Sequence, residues 1–491
     1  MTKIRAAFIT AEMSPFAKAG GLADVAGALP AELARLGVEI TLLIPLYGEI
    51  NRDQYKLVPI DDCQKLSVGN SRYGVSANLY RHNSDVEGLD LIFIEQDHYF
   101  GRTGIYTDPS TGESWPDDSE RYFFFQEASL AALAALGLKP HLLHVNDYHT
   151  ALIPLLLHER AEQYGLGCET KTLLTIHNLG YQGLYPPSTT KLVDLDEGWL
   201  APMSPLEFHG KMNVLKAGIH YADHVNTVSP TYAEEITTSE QGFGLEGVLQ
   251  GHRGKLTGIL NGIDVDEWSP STDLHLGTHY SADNPTGKLS AKEELCREVG
   301  LKFNAAPLAG IVSRLVHQKG FDLLLAGVER MLAIGLQLVI LGTGERKYEQ
   351  ALTAAAKRHP GQLAFVAGFD NGLAHRIEAG ADMFLMPSRY EPCGLNQLYS
   401  LRYGTIPVVF DTGGLHDTVT EWDQGSLSGT GFLFDDFSAE AMLKALERAV
   451  ALYRRQSSWQ RLMQNGMRED HSWPGSAAAY KNLYHKIVKG R

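Results

Sequence analysis

Residues 307–314, "PLAGIVSR", open a series of short apolar runs that decides the fold. "LQLVILG" at 336–342, "LAFVAG" at 363–368, "DMFLMPS" at 382–388 and "IPVVF" at 406–410 follow it, with helical patterns between them. Strand-like runs alternating with helices read as βα units, and such units build a parallel sheet covered by helices on both faces. The first half has the same rhythm in "AAFIT" (6–10), "VEITLLIP" (38–45), "HLLHVND" (141–147) and "TLLTIHN" (172–178). The expected fold class is therefore α/β, with two Rossmann-like, doubly wound domains facing across a deep cleft. Open sheets of this kind bind ligands outside the carboxyl ends of their strands.

A chain of 491 residues is long enough for at least two domains, each with its own core. The stretch 258–290, "GILNGIDVDEWSPSTDLHLGTHYSADNPTGKLS", is rich in Gly, Asp, Ser and Pro and has no sustained period, so it marks a domain junction followed by a surface excursion. The domains are set at 1–255, 256–460 and 461–491. After the first strand, "GGLADVAGALPAELARL" places Leu22, Val25, Leu29, Leu33 and Leu36 on one helical face, with Pro30 expected to kink or split the helix.

Composition excludes several functions. Against 43 Lys and Arg stand 58 Asp and Glu, and a net charge of −15 with no long basic run repels nucleic acid and anionic membranes. Cys63, Cys168, Cys296 and Cys393 are far apart and include no C-x-x-C pair, so no disulfide framework or zinc knuckle is indicated. No apolar run spans a bilayer, and "MTKIRAAFITAEM" leads straight into a strand without a signal segment. The expected location is the cytoplasm.

Three segments carry candidate chemistry. In "KAGGLADV" (18–25), the amides around Gly20 and Gly21 open toward a helix start, which favours an anion, and Lys18 adds a full charge; a plain strand-to-helix turn is the competing reading. In "SRLVHQKG" (313–320), Arg314 and Lys319 follow a strand and precede a helix, so they either grip a diphosphate or are ordinary surface charge. In "PSRYEPCGLNQ" (387–397), Glu391 stands before another helix start. A carboxylate there does not attract phosphate, but it can accept hydrogen bonds from the hydroxyls of a neutral sugar.

With "HVNDYHT", "TIHNLGYQG", "NGIDVDEWSP" and "DTGGLHDTV", these segments occur in an order that resembles the bacterial glycogen synthases and plant starch synthases. Those are retaining glycosyltransferases of the two-Rossmann, GT-B type. The resemblance runs from about Ile4 to "HSWPGSAAAYKNLY". Many wider relatives have a second glutamate eight residues after the first. This chain has Tyr399 there, as the glycogen and starch synthases do.

The resemblance implies roles for single residues. Lys18, Gly20, Gly21 and Asp24 belong to the donor side of the first domain, while Arg314 and Lys319 hold the diphosphate from the second. His177 lies at the transferred glucose, Asp147 lines the reaction centre, and His149 and Asn178 stand on the acceptor side; each histidine has a buried core residue as its alternative. Glu391 binds glucose hydroxyls, and the amides after Cys393, including that of Gly394, face sugar or phosphate. Cys393 itself reads as a small buried hydrophobe rather than a nucleophile. Phe369 is either the aromatic residue against the nucleotide base or a core residue. The segment "SAAAYKNLYHKIV", with Ala479, Leu483 and Ile487 at a spacing of four, is expected to form a helix that returns to the first domain.

The implied reaction moves glucose from ADP-glucose to the non-reducing end of an α-1,4-glucan, either glycogen or a starch-like polymer. The implied partners are these two substrates, with no nucleic acid and no membrane. No cofactor is implied. No metal is implied either, since Arg314, Lys319 and Lys18 supply the charge a metal would bring and no D-x-D-type pair stands at a strand end. Two alternatives remain at this point: a phosphorylase-type glucan enzyme carrying pyridoxal phosphate on a lysine, and a non-catalytic glucan-binding protein of the same fold.

Overall fold

In a computed structural model, which describes all residues except 1, 2, 70, 71, 168 and 491, the chain divides into two compact units. The first comprises Met1–Gly262 with Trp473–Arg491, and the second Ile263–Ser472.

The first unit is built on β1 (Arg5–Ile9), β2 (Glu39–Pro45), β3 (Ser76–Asn83), β4 (Leu89–Glu95), β5 (Leu142–Asn146), β6 (Lys171–Ile176), β7 (His224–Thr227) and β8 (Leu256–Gly258). Across the sheet they run β8-β7-β6-β5-β1-β2-β4-β3. All pairings are parallel except β3 on β4 and the short edge strands Val58–Pro59 and Leu66–Ser67 on β3. The chain winds from β1 to β2 and β4 on one side and then from β5 outward on the other, so the order reverses between β1 and β5. Helix Gly21–Arg35 follows β1 unbroken and does not split at Pro30. Leu29, Pro30, Leu33 and Ala34 are all buried, and this packing outweighs the backbone hydrogen bond that proline forfeits.

The second unit holds β9 (Leu308–Val312), β10 (Gln337–Gly342), β11 (Leu363–Ala367), β12 (Met383–Met386), β13 (Ile406–Phe410) and β14 (Phe432–Phe434), all parallel, in the order β11-β10-β9-β12-β13-β14. This is the doubly wound order, third-second-first-fourth-fifth-sixth, with its switch point between β9 and β12.

The unit borders differ from the expected 255/256 and 460/461. Strand β8 pairs with β7, which carries the first unit on to Gly262. Helix Gln456–Met467 buries Trp459 and Leu462 in the second unit's core, so that unit extends to Ser472. The C-terminal helix Trp473–Lys489 packs in the first unit's core through Trp473, Ala477, Tyr480, Leu483, Tyr484 and Ile487. Ala479 is exposed; the buried stripe alternates steps of three and four instead of keeping to four. Residues 263–286 are not a purely surface excursion, because Ile263, Trp268 and Tyr280 form a buried cluster with Leu398, Tyr399 and Tyr403. Trp268 lies face to face with His375 at 3.8 Å and with Tyr399 at 3.7 Å. Tyr399 is thus part of this buried aromatic cluster.

Among the described residues no helix is long and apolar enough to cross a membrane. Cys63, Cys296 and Cys393 are buried and form no disulfide; Cys168 lies outside the described residues.

Candidate active site

At the second unit's switch point, the loops after β9 and β12 are joined to each other. Arg389 N donates to Gln318 O at 2.9 Å, and Gln318 Nε2 donates to Tyr390 O at 3.2 Å. Gly320 makes this approach possible: its φ is +71°, and a Cβ there would stand 1.8 Å from Pro387 O. The junction brings Lys319 Nζ within 2.6 Å of Glu391 Oε2, which also accepts a hydrogen bond from Ser388 Oγ at 2.9 Å. Glu391 is 5% exposed, so both donors serve a buried carboxylate. Arg314, in the same loop, is exposed and has no hydrogen-bond or ion-pair partner through its guanidinium among the described residues. Cys393 is buried, and its carbonyl accepts from Gln397 Nε2 at 2.9 Å. Gly394 follows with φ +71°. Phe369 is 80% exposed, which removes the core reading of that ring.

The first unit presents its candidates in the same way, at the ends of β1, β5 and β6. The turn at Gly20 already holds an anion, and that anion is the protein's own. Glu12 Oε2 accepts Ala19 N at 2.6 Å and Gly20 N at 2.7 Å, and Tyr106 donates its hydroxyl to Oε1. Burial raises the Glu12 carboxyl above the ordinary range while these three donors pull it back down. The expectation that the Gly20 amide opens outward is corrected here: a buried carboxylate has claimed it. Gly20 itself has space, since a Cβ would meet only Glu12 Oε1 at 3.9 Å. Gly21 is exposed at the helix start, and Lys18 Nζ pairs with Asp24 Oδ1 at 2.6 Å.

Asp147 follows β5 with φ +53°, a left-handed conformation that aspartate tolerates better than most residues. This aims Oδ1 at the amides of His177 (2.7 Å) and Asn178 (3.4 Å), just past β6. Burial lifts the Asp147 carboxyl to about 7 against the pull of those amides. Asn146 Nδ2 donates to Ile9 O at 3.0 Å, which turns Oδ1 toward His177 Nε2 at 3.0 Å. An amide oxygen only accepts, so His177 carries its proton on Nε2 and keeps a lone pair on Nδ1. Burial lowers the imidazole to about 3, which makes it a neutral group in ordinary buffer. His149 is 5% exposed, stacked on Tyr106 with Tyr148 tilted against it, and neither ring nitrogen has a partner among the described residues. The structure therefore brings together Asp147, His177 and Asn178, and separately Lys319 and Glu391, while His149 stands as a buried ring behind Tyr106.

Four contributors escaped the sequence reading: Glu12, Tyr106, Asn146 and Ser388. Glu12 had a readable signal, a carboxylate just past a buried strand. Tyr106 had none, because it reaches Glu12 across 94 residues of chain.

Comparison with known proteins settles the family. Residues 5–251 match the starch synthase catalytic domain model, and residues 293–466 match glycosyl transferases group 1. The glycogen synthase of Anaeromyxobacter sp. (strain Fw109-5) is 44% identical over 484 residues, covering 98% of this chain and 99% of the relative. The chain belongs to the glycogen and starch synthase family. The Thermotoga maritima glycogen synthase, 42% identical over 489 residues, covers 99% of both chains. The catalytic domain of Starch Synthase IV from Arabidopsis thaliana, solved bound to ADP and acarbose, superposes with a TM-score of 0.90 at 33% identity, covering 99% of this chain and all of that one. A sucrose-phosphate synthase from Thermosynechococcus elongatus shares the fold, with a TM-score of 0.61 at 17% identity. This member of the family is thus a GT-B glycosyltransferase.

Proposed function

We propose that the protein transfers glucose from ADP-glucose to the non-reducing end of an α-1,4-glucan with retention of configuration. The observation that carries this reading is the pair of cations at the second unit's switch point. Arg314 is exposed with no partner for its guanidinium among the described residues, and Lys319 is held in place by Glu391. As the C1–O bond of a nucleotide sugar breaks, negative charge grows on the departing diphosphate, and cations fixed beforehand stabilise it without reorganising. Glu391 keeps one oxygen on Lys319 and Ser388 and has a second to accept a glucose hydroxyl. Its charge also disfavours phosphate at its own position, which sorts the sugar from the diphosphate.

His177 fits a place beside the sugar because a neutral imidazole with a free Nδ1 lone pair accepts from a hydroxyl without attracting the diphosphate. The incoming 4-hydroxyl attacks the face from which the diphosphate leaves, and a departing phosphate oxygen takes its proton. Lys18, Gly20, Gly21 and Asp24 remain assigned to the donor, Asp147 to the reaction centre, and His149 and Asn178 to the acceptor side. Phe369, with its ring exposed, serves the base. No cofactor is assigned. The deciding experiment incubates the protein with ADP-glucose or UDP-glucose plus glycogen and measures nucleotide release and glucan growth. ADP release that depends on glycogen is expected; release from neither donor overturns the reading, and release from UDP-glucose alone overturns the choice of donor.

A further inference from the structure

Away from the strand ends, the second unit contains a cavity of about 370 Å³ with an apolar floor of Ile263, Val265, Leu398 and Met467. Arg402 and the run 468–472 complete its wall. Every charged group facing it except one is committed. Arg468 Nη2 pairs with Asp283 Oδ1 at 2.9 Å, and His471 Nε2 with Glu469 Oε2 at 2.9 Å. Asp470 Oδ1 accepts the Ser472 amide at 2.9 Å and the Ser472 hydroxyl as well. The exception is Arg402. Its guanidinium has no hydrogen bond or ion pair among the described residues, and its Nε is enclosed with no acceptor. Asp470 feels its charge without reaching it. An enclosed guanidinium N–H without an acceptor is costly, and the planar fork matches two oxygens of a carboxylate or phosphate. Leu398 and Arg402 are four residues apart on helix Asn396–Tyr403, so the apolar floor and the guanidinium share one face.

We propose that this cavity binds a small organic oxyanion, a carboxylate or phosphate monoester whose oxygens meet Arg402 and whose apolar body lies on Ile263, Val265, Leu398 and Met467. The cavity walls include the two segments by which the chain enters the second unit at Ile263 and leaves it at Ser472, where Ile263 N donates to His471 O at 2.9 Å. An occupant therefore binds where those two passages pair, and it also touches the helix that follows Glu391.

The test is calorimetric titration of the full chain, first saturated with ADP so that the Arg314–Lys319 loop is occupied. Inorganic phosphate and succinate serve as probes. One-to-one binding of at least one probe is expected, weakened about tenfold or more in Arg402→Gln, which removes the charge-assisted fork. Val265→Phe, which fills the floor and leaves Arg402 intact, is expected to weaken it likewise and stands as the decisive variant where Arg402→Gln fails to fold. Phosphate binding alone assigns the site to phosphate monoesters, and succinate alone to carboxylates. The proposal is overturned when neither probe binds to wild type, when both variants bind undiminished, or when Val265→Phe retains full binding.

Discussion

Lys319 Nζ lies 2.6 Å from Glu391 Oε2, across 72 residues of chain, and this single contact couples two groups that a sequence reading assigns to different parts of a nucleotide sugar. Lys319 is thus oriented before any phosphate arrives, and the carboxylate that orients it also offsets part of its charge. Glu391→Gln is expected to leave ADP binding as tight as wild type or tighter, because the opposing charge is gone. Turnover is expected to fall by about 10² or more, because the cation is no longer fixed on the leaving group. The ADP dissociation constant and the turnover rate, measured together, check this. Weaker ADP binding in Glu391→Gln would show that the carboxylate supports the phosphate site.

Arg314 and Lys319 part company in their effect on folding. Each alanine variant is expected to lose about 10² to 10³ in turnover. The Arg314 guanidinium is exposed and has no ion pair among the described residues, so its removal is expected to change stability by no more than about 0.5 kcal/mol. Lys319→Ala strands a carboxylate that is only 5% exposed, and a buried charged group that loses its partner costs about 1–3 kcal/mol or more. Thermal midpoints of the two variants are therefore expected to separate, with Lys319→Ala lower. Equal midpoints would mean that Ser388 alone satisfies Glu391.

Asp147 makes stability depend on pH in a direction set by its raised carboxyl. Unfolded, the carboxyl ionises near the ordinary aspartate value of 3.8; folded, burial makes it hold its proton to about 7. Between those values the unfolded chain sheds the proton first, so the contribution of Asp147 to stability declines as pH rises from about 4 to about 7 and is constant above. Asp147→Asn keeps an acceptor for the His177 amide but cannot ionise. The difference in midpoint, variant minus wild type, is expected to grow from pH 5 to pH 8. A difference that stays flat over that range would remove the perturbed carboxylate.

How much of this was legible in advance follows from how far each contact reaches along the chain. The strands that lead into the site loops are mostly apolar runs, and those loops carry Arg314, Lys319, Glu391, Asp147 and His177, so local pattern was enough to place all five at strand ends. The occupant of the Gly20 amide was not legible, because Glu12 and Tyr106 meet there only once the fold is closed. Pro30 shows a propensity overruled by packing. The stripe on the C-terminal helix shows the limit of a strict four-residue step, since Tyr480 and Tyr484 are buried while Ala479 is not. That stripe also hid a polar role.

Tyr484 donates to or accepts from His144 Nδ1 at 2.7 Å, and the other ring nitrogen, Nε2, meets Thr175 Oγ1 at 2.6 Å, all inside the first unit's core. The tail therefore fixes β5 and β6 from behind, one residue before Val145 and two before Asn146. Tyr484→Phe is expected to cost about 1–3 kcal/mol, the penalty for a buried polar group left without a partner, with turnover little changed at temperatures well below the midpoint. Denaturant unfolding measures the first and nucleotide release the second. No loss of stability would mean that water replaces the hydroxyl.

Gly20 gives the sharpest separation of protein needs from ligand needs. Its backbone is extended, with φ −152° and ψ −168°, which alanine adopts without strain, and a Cβ would meet nothing closer than Glu12 Oε1 at 3.9 Å. Gly320 is the contrast, because its own fold has no room for a Cβ. Nothing within the folded chain therefore demands glycine at position 20. Gly20→Ala is expected to leave the thermal midpoint unchanged or to raise stability by about 0.4–1 kcal/mol, since alanine restricts the unfolded chain. A ligand whose phosphates approach that backbone closely has no such latitude. The Michaelis constant for ADP-glucose is expected to rise about tenfold in this variant, or about 1.4 kcal/mol of lost binding. Steady-state kinetics beside a thermal melt decides the matter: wild-type kinetics in a well-folded Gly20→Ala protein would remove this turn from the donor site.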